Sequence, residues 1–351
     1  MMKKMFKLSL MMMIAFSLVL AGCGNKPSNE GQGQTPSGST GNTGETKKSE
    51  AKIGMVTDVG GVNDKSFNQS AWEALEKLKK ENGITTKYLQ SKGDSDYVPN
   101  LNQFVQGKYD LTWGIGFVIA DAMKKVADQN PKSNFAIIDN VVEAPNVQSV
   151  TFAEHEGSYL VGVVAGLTTK TNKIGFVGGM DIPVIKRFEA GFKEGVKAVN
   201  PGAKVLVNYT GAFDKPDLGK AAAATMYNDG ADIIFHSSGA TGNGVFNEAK
   251  DRVKQGKKVW VIGVDKDQSL EFGDDVTLTS MVKDVEGAVT RYSKQVIDGT
   301  FKPGAPVTLG LKDNGVGLPE TSKKNVPEDV LKKADEYKEK IIKGEIKVPE
   351  K

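Results

Sequence analysis

Several polar residues in this 351-residue chain each follow a short apolar stretch. They are Asp58 after residues 52–57, Gly114 and Gly116 after 110–113, Asp139 closing 134–139, then Ser237 to Gly239, and Asp265. Lys283 follows a further stretch at 276–281. In parallel α/β sheets the carboxyl ends of the strands are where ligands sit, met by backbone N–H groups and helix N-termini. Aspartates there accept hydrogen bonds from hydroxyl and amine donors. The chemistry offered is capture. His155 and His236 are the only two histidines, which leaves little for a zinc site or a histidine-based triad. A single cysteine, Cys23, excludes an intrachain disulfide and a multi-cysteine metal site. Gly157, Gly162 and Gly166 are followed by no Gly-Lys-Ser/Thr, so they suit close helix packing and not a phosphate loop. No catalytic residue, metal or cofactor is expected.

Each candidate also has a plainer use. Asp139 and Asp265 could cap the helices after their strands. Phe67 could fill the core, and Lys283 could be a solvated surface lysine. His236, ahead of two serines, suits a strand end, and Trp72, Trp113 and Trp260 suit the core.

The elements that must position these residues follow from hydrophobic patterning. Strands are expected at 52–57, 85–89, 110–113, 134–139 and 147–152, with helices at 66–80, 96–106 and 117–130. Ser66 or Asp64 can cap the first helix. The pattern then restarts. Lys52-Ile53-Gly54-Met55-Val56 is echoed by Lys173-Ile174-Gly175-Phe176-Val177, Phe67 by Phe188, residues 110–113 by 232–235, and 134–139 by 258–265. The spacing between partners drifts by only a few residues, as a duplicated lobe with small loop insertions would produce. Alternating strands and helices imply doubly wound parallel sheets covered on both faces. The expected fold is therefore α/β, with two similar lobes around a central cleft. The strand at 276–281 and the helix at 284–298 should cross back to the first lobe, which puts Lys283 at a hinge. The lobe boundaries are 51–153 with 283–302, and 154–282 with 303–351.

Ahead of the body lies a leader. Residues 1–7 are basic and 8–20 apolar, too short to span a bilayer comfortably but suited to a signal-peptide core. Leu20-Ala21-Gly22-Cys23 resembles the bacterial lipobox, which makes residues 1–22 a lipoprotein signal peptide and Cys23 the lipidated residue. Residues 24–50 hold no aliphatic core former beyond small and polar types and read as a flexible linker with a root-mean-square reach of roughly 30 Å. The formal charge of +3 includes Lys3, Lys4 and Lys7 of the leader, so the mature chain is near neutral. With only three arginines, Arg187, Arg252 and Arg291, it lacks the footprint of a nucleic-acid binder.

Residues 58–72, Asp-Val-Gly-Gly-Val-Asn-Asp-Lys-Ser-Phe-Asn-Gln-Ser-Ala-Trp, closely resemble the opening signature of the basic membrane protein family of bacterial lipoproteins. So do Thr151-Phe152, Gly157 to Leu160, Gly178-Gly179, Gly263-Val264-Asp265 and Ser280 to Lys283. The resemblance spans residues 52–318. It implies the type I periplasmic-binding-protein fold, and its purine nucleoside receptor branch implies a protein that passes nucleosides such as guanosine, inosine or adenosine to an ABC importer. By that resemblance Phe67 and Phe213 flank the base, Asp58 and Asp139 meet its polar edges, and Asp265 and Lys283 hold the ribose, with the Gly239 backbone nearby. The candidate ligand-binding set is Asp58, Asn63, Phe67, Gly116, Asp139, Phe213, Gly239, Asp265 and Lys283. The expected partners are a purine nucleoside, an ABC permease and the membrane through the lipid, on the extracytoplasmic face, with the protein a monomer. A sensing lipoprotein or adhesin, and a nucleoside hydrolase, are the alternatives.

Overall fold

The computed structural model describes residues 49–351; the leader, Cys23 and nearly all of the linker lie outside the described residues. The first lobe runs β1 (Lys52–Thr57), α1 (Phe67–Asn82), β2 (Thr85–Gln90), α2 (Tyr97–Gln106), β3 (Leu111–Ile115), α3 (Ala120–Gln129), β4 (Phe135–Ile138) and β5 (Val147–Phe152). The second runs α4 (Glu154–Thr168), β6 (Lys173–Gly178), α5 (Pro183–Val199), β7 (Lys204–Tyr209), α6 (Pro216–Asn228), β8 (Ile233–Ser237), α7 (Gly242–Lys254), β9 (Trp260–Asp265), α8 (Ser269–Phe272) and β10 (Thr277–Lys283). The chain ends with α9 (Val285–Ile297), β11 (Val307–Leu309), β12 (Val316–Gly317) and α10 (Glu328–Ile342).

Each lobe holds a 6-stranded sheet, in the orders β11-β5-β4-β3-β1-β2 and β12-β10-β9-β8-β6-β7. The two orders are the same once the repeat is aligned, and the five repeated strands share their topology; the sixth differs, β11 running parallel to β5 and β12 antiparallel to β10. Inner strands such as β1, β3 and β6 are apolar and buried, as strands covered on both faces must be. The edge strands β2 and β7 carry lysines and polar residues and stay partly exposed. Trp113 is fully buried, whereas Trp72 and Trp260, also expected in the core, are only partly covered.

The chain crosses between lobes three times, at 152–154, 283–285 and 309–316. Helix α9 returns to pack on α1, and Trp113 Nε1 donates to Ser293 Oγ at 3.0 Å. The expected boundaries need correction here. Residues 303–351 do not stay in the second lobe, because Val307–Leu309 pairs with β5 in parallel and completes the first sheet. Lys283 itself is the last residue of β10 and pairs with Val316, so its backbone belongs to the second sheet. A three-residue strand has too little pattern to be visible in sequence. The crossings are tied to one another: Ala153 N–H donates to Leu309 O at 2.9 Å, Leu311 N–H to Glu156 Oε2 at 2.8 Å, and Asp284 N–H to Gly315 O at 2.8 Å.

Helices α4 and α5 cross backbone to backbone. A Cβ at Gly162 would lie 2.4 Å from Phe192 O, one at Gly191 2.0 Å from His155 O, and one at Gly195 2.1 Å from Tyr159 O. Such a contact cannot accept a methyl group without separating the helices. Gly195→Ala should therefore cost about 1–3 kcal/mol by overpacking. Gly93→Ala, where nothing lies within 4 Å, should stay within about 0.5 kcal/mol of the parent. Urea unfolding of both variants checks this; equal stabilities would show that the crossing has slack.

Candidate functional site

Strand ends from both lobes meet at a cleft with about 540 Å³ of empty space, open solvent at its mouth included. Of the nine candidate residues, Asp58, Phe67, Gly116, Asp139, Phe213, Gly239, Asp265 and Lys283 line it. Asn63 does not: it is exposed, in the turn before α1. Its place is taken by Asp64 and Asn68, which line the cavity from the start of the helix.

The cap of α1 explains the difference. Ser66 occupies the N-cap position but its side chain makes no capping bond. Asp64 does that work, accepting from Ser66 N–H at 2.9 Å, Asn68 N–H at 2.8 Å and Gln69 N–H at 3.1 Å. The helix start is thereby pinned with Asn68 facing inward. Asn68 Nδ2 donates to Asp58 Oδ1 at 2.8 Å and to Asp64 Oδ2 at 3.0 Å, while its Oδ1 is buried without a protein partner. Ser66 is free to reach across the cleft, and its hydroxyl donates to Asp265 Oδ2.

Asp139 and Asp265 cap no helix. Asp139 follows β4 and Asp265 closes β9, both in the left-handed region at φ +73° and +65°, a conformation that aspartate tolerates better than most residues and that recurs at functional sites. The turn aims both carboxylates at Lys283, whose Nζ lies 2.7 Å from Asp139 Oδ2 and 3.6 Å from Asp265 Oδ1. The same ammonium sits 4.5 Å from the centroid of Phe67 and 5.6 Å from that of Phe188. It is 5.5 Å from the centroid of Phe152. Strand pairing shows what Phe152 is. Ile138 pairs with Val150 and Val264 with Met281, so two residues further on, Phe152 is the repeat counterpart of Lys283. The ammonium thus stands between two related aspartates and two related phenylalanines, beside its own counterpart. It is 2% exposed, not a surface lysine.

Aromatic and aliphatic walls complete the cavity: Phe67, Phe188 and Phe213 with Phe117, Ile182 and Ile185. The loop carrying Phe213 is fixed by Thr241, which donates to Phe213 O through its amide at 3.0 Å and to Ala212 O through its hydroxyl at 3.0 Å. The Phe213 ring lies against Gly179, where an added Cβ would stand 2.3 Å from it. Gly116, at φ +130°, brings backbone against Asp58; a Cβ there would be 3.1 Å from Asp58 Oδ2.

Burial dominates the electrostatics. It raises Asp58 to about 7, with Asn68 opposing and the charge of Asp64 adding. It raises Asp64 to about 6, against the three backbone bonds of the cap. Asp265 is raised by burial and restrained by Lys283 and Ser66. Burial works against the charge of Lys283, but Asp139, Asp265 and Glu154 outweigh it and hold the lysine above its ordinary value. Behind the cavity Glu154 is fully buried and accepts from Arg187 Nε at 2.6 Å. Burial, with the charge of Asp139, lifts it to about 7. Four carboxylates therefore line a cavity with one ammonium, and Asp139 Oδ1 and Ser237 Oγ have no protein partner.

Sequence reasoning missed Asp64, Asn68 and Phe188 as cavity residues. The first two lay inside the 58–72 signature, and Phe188 was visible as the repeat counterpart of Phe67.

Two related lobes that together line one carboxylate-rich cleft define a solute-binding protein. Residues 51–351 match the family model described as ABC transporter substrate-binding protein PnrA-like, and the chain belongs to that family, whose members include the basic membrane proteins. It is 47% identical to the CD4+ T-cell-stimulating antigen of Listeria innocua over 99% of each chain. It is 42% identical to the ABC transporter nucleoside-binding protein BmpA of Lactococcus lactis, covering 96% of this chain and 97% of that one. Among solved structures, an ABC transporter solute-binding protein from Aeropyrum pernix superposes with a TM-score of 0.79 at 29% identity, covering 86% of this chain and 94% of that one. The type I periplasmic-binding-protein fold and the role of ABC transporter substrate-binding protein follow.

Two outcomes test the electrostatics. Lys283→Met should cost about 3–5 kcal/mol at neutral pH, because it leaves buried carboxylates without their cation. The raised carboxyls hold protons in the folded state at pH values where the unfolded chain has lost them. Stability of the ligand-free protein should therefore be greatest near pH 4–5, fall as pH rises through 6 and 7, and level off above. Asp58→Asn should flatten that slope. A thermal midpoint that climbs from pH 5 to pH 8 in the parent would contradict the assignment.

Proposed function

We propose that the protein captures purine nucleosides between its lobes and delivers them to an ABC permease from the extracytoplasmic face of a membrane. The observation that carries this is the pairing of aromatic walls, Phe67 and Phe213, with an excess of buried carboxylates. A purine is a flat π-surface with donors on its rim, so ring faces and carboxylate acceptors both suit it. Ribose adds vicinal hydroxyl donors, which suit Asp265 beside Lys283. A free amino acid would need a cation for its carboxylate, and the one cavity ammonium is already shared by Asp139 and Asp265. The Lactococcus lactis relative named as nucleoside-binding supports the same class.

Charge sets a boundary on the ligand. A nucleoside phosphate would bring further negative charge among Asp58, Asp64, Asp139 and Asp265, so nucleotides should be rejected. Calorimetric titration with guanosine, inosine, adenosine, cytidine, guanine, ribose and guanosine monophosphate tests both halves. Purine nucleosides should bind and the monophosphate should not. Phe67→Ala should weaken purine nucleosides about fivefold to more than a hundredfold, the worth of ~1–3 kcal/mol of base stacking. Asp265→Ala should weaken guanosine while sparing guanine. Tight binding of ribose alone, equal losses for guanosine and guanine, or release of free base from guanosine would each overturn the proposal.

The membrane part rests on the lipobox-like residues ending in Cys23, which lie outside the described residues. One acyl chain binds membranes only marginally while two hold stably. Cys23→Ser should therefore move the protein from the membrane fraction to the soluble one. A serine variant that sediments with membranes like the parent would remove the anchor.

A further inference from the structure

We infer that Gln268 is a positioning residue for capture: its side-chain amide ties the two lobes across the cleft through protein atoms alone and sets how far the ligand-free protein is closed. The inference rests on lobe closure, not on which solute is bound.

Gln268 follows β9 in the second lobe and is fully buried. Its Oε1 accepts from Val264 N–H at 2.9 Å and lies 2.8 Å from His236 Nε2, and its own backbone N–H donates to Ser280 Oγ at 3.1 Å. Its Nε2 donates to the backbone carbonyl of Lys65, in the first lobe, at 2.8 Å. The amide orientation follows from chemistry. A backbone N–H can meet only the amide oxygen, and a backbone carbonyl can meet only the NH₂. His236 must then carry its proton on Nε2, which leaves Nδ1 to accept from the Ser238 hydroxyl at 3.3 Å. Burial holds that histidine near pKa 4, so it is neutral and the tautomer is stable at physiological pH.

Every oxygen contact of Gln268 is therefore spent inside the second lobe, and its one donating arm crosses the cleft. The arm lands on a special place. Lys65 is in the left-handed region at φ +58°, and Ser66 and Phe67 follow at once. Gripping the Lys65 carbonyl fixes the start of α1 and so presents Phe67 to the cavity. Neither Lys65 nor Gln268 lines that cavity. At the rim the same two segments meet again: Lys266 Nζ donates to Glu73 Oε2 at 2.9 Å and to Glu271 Oε1 at 3.0 Å, and Gln69 Nε2 donates to Glu271 at 2.9 Å.

A protein-only tie favours the closed state before any ligand arrives. Apparent affinity scales with the fraction of binding-competent protein, so weakening the tie should lower affinity for every ligand by one factor. Gln268→Glu tests this sharply. It keeps an oxygen facing Val264 and His236 and, once ionised at alkaline pH, sets a carboxylate oxygen against the Lys65 carbonyl in place of the donor. Gln268→Met, similar in length and uncharged, guards against misfolding in the first variant, with circular dichroism as the check on both. Small-angle scattering of the ligand-free protein should show a larger radius of gyration in either variant. Titration with guanosine and inosine should show a loss of affinity of about two- to tenfold, equal for both. An unchanged ligand-free radius in both variants, or a loss confined to one nucleoside, would overturn the assignment. If the parent bound neither nucleoside, the proposed ligand would fail and the ligand-free scattering would still decide the role of Gln268.

Discussion

The buried ammonium of Lys283 is the constraint around which the site is organised. An isolated charge at 2% exposure would cost several kcal/mol of lost hydration, and only close carboxylates can offset that. They come from the ends of β4 and β9, one from each lobe, each swung inward by a left-handed residue. One side chain on the second sheet thereby holds the first lobe's Asp139 at hydrogen-bond distance. The remaining carboxylates have no cation of their own. The cavity is left short of hydrogen-bond donors, which favours a donor-rich ligand over an anionic one.

The lobes are joined beside this centre. The three crossings are bonded to each other near Ala153, Asp284 and Leu311, so they form one connected junction. Away from it, contacts between the start of α1 and residues 264–271 bring protein atoms of both lobes together. The packed crossing of α4 and α5 lies in the second lobe beside that junction.

Much of this was legible in the residues because parallel strands announce themselves. The near copies at Lys52 and Lys173, and the polar residues after each strand, located both sheets and most of the cavity wall. What stayed hidden has physical reasons. Val307–Leu309 is too short to show a period, and its place beside β5 depends on a crossing that no local pattern encodes. Asn63 and Asn68 are chemically alike and both lie in the 58–72 signature; only the Asp64 cap decides which faces inward. Whether Lys283 was a surface residue or a buried partner turned on carboxylates more than a hundred positions away. Gln268 carried no signal at all, since its role exists only when the lobes are together.

The relation between Lys283 and Phe152 bears on how such a chain could have arisen. Two identical half-length chains associating about a twofold axis would set the same side chain there twice. Two lysines would repel at the axis, and two phenylalanines would leave the facing aspartates without a cation. Joining the halves into one polypeptide lifts that restriction, because the two axial positions can mutate independently. The lysine on one side and the phenylalanine on the other form an arrangement open to a fused gene and closed to a symmetric homodimer.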